Sequence, residues 1–128
     1  MNRHRSALMN LEKLKSLLKD SMSERRIDQQ IRNWLKTRPD VMGKKLHGTF
    51  LSINEPDWIF TVLGRTIVIE NKVPGETERQ GQEIRLREWQ AAGARVAVCT
   101  SRDQVIRIIA EEEARMRRLL AYEEDGYL

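Results

Sequence analysis

The sequence predicts a single mixed α/β domain in which a small mixed β-sheet is flanked by helices. Three observations predict it. Apolar residues recur at helical spacing at both ends of the chain, and β-branched and aromatic runs crowd residues 49–70. A helical pattern then separates that region from a valine-rich strand, the order of a crossover unit. At 128 residues the chain is long enough to bury a core and short enough to be one domain, 1–128.

Residues 6–20 carry Leu8, Leu11, Leu14, Leu17 and Leu18 with lysines between them, which predicts a helical extension over 1–20. Ser21-Met22-Ser23-Glu24 matches the Ser-x-x-Glu capping box, so a second helix is predicted to begin there. It carries Ile27, Ile31, Trp34 and Leu35 on one face and ends before Arg38-Pro39. The stretch from Pro39 to Gly48 reads as a loop. Three strands follow as a meander: 49–53, then 57–62 after the Asn54-Glu55-Pro56 break, then 66–70 after a tight turn at Gly64-Arg65. A second capping box, Thr77-Glu78-Arg79-Gln80, opens a helix from about 78 to 92 that stops at Gly93. Arg95-Val96-Ala97-Val98-Cys99 reads as a buried central strand, parallel to the one before the crossover helix. Ser101 can cap a last helix through about Leu120, with Val105, Ile108, Ile109 and Met116 on its apolar side. The acidic tail, 121–128, is predicted to fray.

Composition narrows the classes of function. A single cysteine excludes a disulfide framework and a multi-cysteine zinc site, and Cys99 reads as inert core. No apolar run approaches the roughly 20 residues of a membrane span, and no apolar signal core follows the basic N-terminus. These features predict a cytoplasmic protein with no membrane partner. Residues 1–50 hold 12 Lys/Arg against 5 Asp/Glu, a net +7, whereas residues 51–128 carry −3 of the overall +4. A basic half suits a polyanion, because neutralising phosphates releases condensed counterions. A solvated helical surface would give the same count.

The candidate chemistry lies at the end of the predicted hairpin. A turn near Gly64-Arg65 brings Asp57 roughly opposite residues 70–72, and strand alternation puts Glu70 and Lys72 on one face. Two carboxylates and an ammonium should therefore gather at one end of the sheet. Two acidic oxygens suit Mg²⁺, with Mn²⁺ as substitute, because Mg²⁺ takes hard oxygen ligands and keeps waters for a substrate phosphate. A lysine beside them can orient a water or offset phosphate charge. The alternative is a surface ion pair of Glu70 with Lys72 and a turn-capping Asp57, but Glu70 ends a run that reads as buried.

Pro56-Asp57, followed by Glu70-x-Lys72 after an apolar strand, resembles the signature of the PD-(D/E)XK nuclease superfamily. The text beyond it narrows the resemblance: Ile69-Glu70-Asn71-Lys72-Val73-Pro74-Gly75, then Gln82, Leu86 and Trp89, then Ala91-Ala92-Gly93-Ala94-Arg95-Val96-Ala97-Val98. That order is similar to the VRR-NUC (virus-type replication-repair nuclease) family, over residues 47–109 and more weakly over 21–46. The resemblance implies a restriction-endonuclease-like core and Mg²⁺-dependent hydrolysis of DNA phosphodiester bonds. It implies Asp57 and Glu70 as metal ligands, the Asn71 carbonyl as a third, Lys72 as the catalytic lysine and Gln82 as the family's helix glutamine. Glu24 matches the acidic residue that such nucleases carry on the first core helix and use to help hold metal; it is equally readable as a capping-box glutamate. Small stand-alone members resemble homodimeric resolvases of branched DNA.

Other residues carry less. Gln82 shares a stripe with Leu86, Trp89 and Gly93, and is either a site residue or a buried amide satisfied by backbone. Lys44, Lys45, His47, Arg79, Arg85 and Arg87 are candidates for a DNA groove. The family usually has glycine before Pro-Asp; Glu55 there adds a carboxylate near the metal or loosens the turn. Arg38-Pro39-Asp40 repeats the Pro-Asp pair, but no predicted strand follows it, so Asp40 reads as a turn residue. The leucine stripe suits packing or a contact between copies. The rival readings are a non-catalytic nucleic-acid-binding module and an end-processing exonuclease.

Overall fold

The computed structural model describes residues 2–46, 54–74 and 80–124. Among these the chain runs α1 (Asn2–Leu35), β1 (Met42–Lys45), β2 (Trp58–Val62), β3 (Arg65–Asn71), α2 (Gln80–Ala91), β4 (Arg95–Cys99) and α3 (Arg102–Glu124). The four strands form one mixed sheet in the order β1-β2-β3-β4. The first three pair antiparallel as a meander, and β3 pairs with β4 in parallel through α2. The expected α/β class, the meander and the crossover are all present.

The two predicted N-terminal helices are one. No Gly or Pro interrupts residues 2–35, and the helix runs unbroken through Ser21-Met22-Ser23-Glu24, where the Ser23 hydroxyl donates back to the Lys19 carbonyl at 3.0 Å. A helix of 34 residues spans about 51 Å at the standard rise. Its C-terminal half supplies Ile31, fully buried, to a core made with Trp58, Phe60, Ile67, Ile69, Val105 and Ile109. Farther toward the N-terminus, Leu11, Leu14 and Leu18 are exposed.

The meander starts earlier than predicted. Met42-Gly43-Lys44-Lys45, read as loop for its glycine and lysines, is a strand; the predicted strand over 49–53 lies outside the described residues. The edge of β2 supplies the hydrogen bonds that this polar segment lacks the propensity to recruit alone. Glycine is required at 43: a Cβ there would stand 2.7 Å from the Phe60 ring and 2.9 Å from Leu35. The β2–β3 turn centres on Leu63 and Gly64, one residue earlier than predicted. Both have positive φ (50° and 80°), as a two-residue hairpin turn demands.

β3 is buried along its last five residues because helices cover both faces of the sheet. Ile67 and Ile69 face α1 and α3, whereas Val68 and Glu70 alternate to the α2 side. β4, predicted to be central, is an edge strand, and Val98 on it is 45% exposed. Its valines reflect strand propensity, and only Cys99 at its end is buried. The last helix continues to Glu124, past the predicted end at Leu120.

Because the buried residues of α1 among those described, Asp28 and Ile31, lie in its C-terminal half, its two halves should respond differently to truncation. Ile31→Ala should cost about 2–5 kcal/mol in urea unfolding, the range for a buried Ile. Leu14→Ala, at a position 56% exposed, should change stability by no more than about 0.5 kcal/mol.

Candidate active site

The β2–β3 register pairs Trp58 with Ile69, so the next position outward sets Asp57 opposite Glu70 on the α2 side. The hairpin argument from the sequence placed these two residues in the same way. Asp57 is fixed by the backbone: its Oδ2 accepts the Asn71 N–H at 2.7 Å. Glu70 is 2% exposed. Its Oε1 accepts the Gln82 amide at 3.0 Å and lies 3.5 Å from the Lys72 ammonium. Lys72 in turn donates to Gln82 Oε1 at 3.0 Å. Gln82 thus faces inward from the first turn of α2 and bridges Glu70 and Lys72. The other Glu70 oxygen, Oε2, is buried with no hydrogen-bond partner.

The electrostatics follow from this packing. Burial pushes the Glu70 pKa from 4.5 up to about 7, and the facing Asp57 carboxylate pushes the same way, against the pull of Lys72. Burial also raises Asp57 above its ordinary 3.8, opposed by the Asn71 N–H and reinforced by the charge of Asp28. Lys45 and Lys72 pull the Asp57 carboxyl the other way, so two ammonium groups act on the cluster of Asp28, Asp57 and Glu70.

Sequence reasoning missed Asp28. This residue of α1, 6% exposed, accepts the Trp58 indole N–H at 2.9 Å and the Asn71 side-chain amide at 3.3 Å, and it is ion-paired with Lys45. Asn71 therefore joins two acids, Asp57 through its main chain and Asp28 through its side chain. The signal was available: Asp28 falls between Ile27 and Ile31 on a stripe predicted to be buried. Glu24 lies one turn earlier and is half-buried. Because α1 does not restart at Ser21, the capping-box role proposed for Glu24 does not apply.

Other expected residues are dispersed. Glu55 neither joins the acids nor stands free: it accepts the Trp89 indole N–H at 3.0 Å and pairs with Arg85 at 2.9 Å. Arg85 also pairs with Glu88, and Arg87 with Glu83. Asp40 is exposed and bound to Arg38, as a turn residue would be, and the neighbouring guanidinium lowers its pKa. His47 and Arg79 lie outside the described residues. Cys99 is buried, and burial pushes its thiol to about 11, which fits inert core. Among the described residues, no group of three or more His, Cys, Asp or Glu side chains converges to hold a metal ion, and no helix is long and apolar enough to cross a membrane.

The raised pKa of Glu70 has a stability consequence with a definite sign. Between about pH 4.5 and 7 the folded chain keeps a proton that the unfolded chain has lost, so this group's contribution is full below 4.5 and fades as pH rises to 7. The urea midpoint should fall across that window. Glu70→Gln, neutral at every pH, should flatten the fall; an unchanged slope in the variant would show that the titration belongs elsewhere.

No family model matches the chain, and no curated protein or solved structure matches it, so the case for its chemistry rests on these side chains.

Proposed function

We propose that the chain is a Mg²⁺-dependent deoxyribonuclease of VRR-NUC type, with a restriction-endonuclease-like core, acting on branched DNA. One observation carries this reading. Asp57 and Glu70 face each other from adjacent strands, Glu70 Oε2 is buried without a partner, and Lys72 stands beside the pair.

These residues fit a divalent cation. Mg²⁺ is commonly bound by one or two carboxylates, with waters and substrate phosphate completing the octahedron, so two acids suffice. The unpartnered Glu70 oxygen is a donor in want of a cation, and the Asn71 main chain is the remaining candidate ligand. When bound, the cation would supply Lewis-acid stabilisation of a scissile phosphate.

The chain's own groups have separable tasks. Asp57 is held by a backbone N–H and Glu70 by Gln82, so the donor pair is set before substrate arrives. Lys72, mostly buried and tied to Gln82, presents a fixed ammonium that can orient a water and balance phosphate charge. Exposed Leu11, Leu14 and Leu18, at i, i+3 and i+7 of α1, offer a stripe for pairing two copies. Cutting two strands calls for two sites, which a two-fold dimer supplies. The competing reading, a nucleic-acid-binding module without catalysis, draws on the acids being a pair and not a trio.

Fixed-sequence linear duplex, flap and four-way junction DNA, incubated with Mg²⁺ or EDTA, separate these readings. The parent should cleave only with Mg²⁺. Lys72→Ala and Glu70→Gln should lose about a hundredfold or more, the scale of one well-placed electrostatic group. Asp57→Asn should be comparably impaired, and Asp40→Asn should cut like the parent. Equal activity in all four variants would overturn the nuclease reading, and binding without cleavage by the parent would favour the module.

A further inference from the structure

We propose that the DNA backbone enters along the groove between α1 and β1, gripped by Arg32 and Lys44, and does not run over the arginines of α2. The inference rests on the nuclease reading but concerns a surface outside the acids. The groove is lined by Arg32, Leu35, Gly43, Lys44, Lys45 and Trp58. At about 310 Å³ it is at the lower end of small-molecule pockets, yet three of its six lining residues are cations, which suits a polyanion better than an apolar ligand.

Two observations place DNA there. The first is position. Lys45 and Trp58, on the groove wall, both bind Asp28; Asp28 and Asp57 both bind Asn71. The groove wall is therefore linked to the acid pair through Asp28 and Asn71.

The second is charge. Arg32 and Lys44 are exposed, and neither has an acidic partner among the described residues. Arg25, one turn the other side of Asp28 on α1, is exposed in the same way and extends the track. The cations of α2, and those at the opposite end of the sheet, are already neutralised. Arg85 is shared between Glu55 and Glu88, and Arg87 is taken by Glu83. Arg65, Arg95 and Arg115 surround the buried Glu112 near the opposite ends of β3 and β4. An arginine held by a carboxylate must break that pair before it can release a phosphate counterion.

The test is equilibrium binding of a fixed-sequence duplex, followed by fluorescence anisotropy in EDTA so that nothing is cleaved. Arg32→Ala/Lys44→Ala should weaken binding roughly tenfold or more at about 0.1 M salt. It should also lower the slope of log K against log salt by about 0.9 for each lost phosphate contact. Arg85→Ala/Arg87→Ala should leave both affinity and slope near those of the parent. Circular dichroism melts of each variant show that the fold is retained, as expected for exposed positions. Unchanged affinity in the first double variant, or an equal loss in the second, overturns the groove assignment. Neither result touches the nuclease reading, which fails separately if the parent never cleaves DNA with Mg²⁺.

Discussion

Trp58 lies opposite Ile69 across the β2–β3 ladder, and the rest of the site depends on that register. It is held from two directions. The two-residue turn at Leu63-Gly64 fixes the count at one end, and burial of Phe60, Val62, Ile67 and Ile69 against the helices fixes the face. A slip by one residue would turn Ile67 and Ile69 away from the core and drive Glu70 into it. The hydrophobic effect, acting on residues with no chemistry of their own, thus brings the two carboxylates together. The Asn71 N–H to Asp57 and the Gln82 amide to Glu70 then fix their orientation.

Buried charge is handled differently at the two ends of the sheet. Near the starts of β3 and β4, Glu112 is ringed by Arg65, Arg95 and Arg115, with Arg95 also paired to Glu111. At the other end of β3, Glu70 pairs with Lys72 alone. A buried carboxylate is costly unless it is paired, so the charge of Glu112 is compensated more fully than that of Glu70. Perturbed acids in an under-compensated cluster mark functional sites more often than structural ones. Asp28 belongs between these extremes, because Lys45, Trp58 and Asn71 together satisfy it.

The hairpin, the crossover and the Asp57–Glu70–Lys72 grouping were legible in the sequence because each rests on local rules: a turn count, strand alternation and a helix glutamine at fixed spacing. The misses share a different cause. β1 exists because β2 offers an edge, and no property of Met42-Gly43-Lys44-Lys45 announces that. The capping box at Ser21 was a true pattern with no vacant helix end to cap, since nothing stops α1 before it. Asp28 escaped notice because its role is set by Trp58, Asn71 and Lys45, which converge on it from 17 to 43 residues away. The fate of the arginines on α2 was equally non-local: Glu55 lies 30 residues upstream of Arg85.

β4 forms one margin of the sheet, with β3 on one side and no described strand on the other. Successive residues in a strand point their amides to opposite sides, so about half of the amides of Arg95–Cys99 turn away from β3. β3, flanked on both sides, has its amides taken up by the ladder or, at Asn71, by the Asp57 carboxylate. Deuterium from solvent should therefore enter β4 at alternate positions on a short timescale, while β3 exchanges only when the domain opens. The strand that carries Glu70 would then be among the last to take up label, although it ends among buried charged side chains.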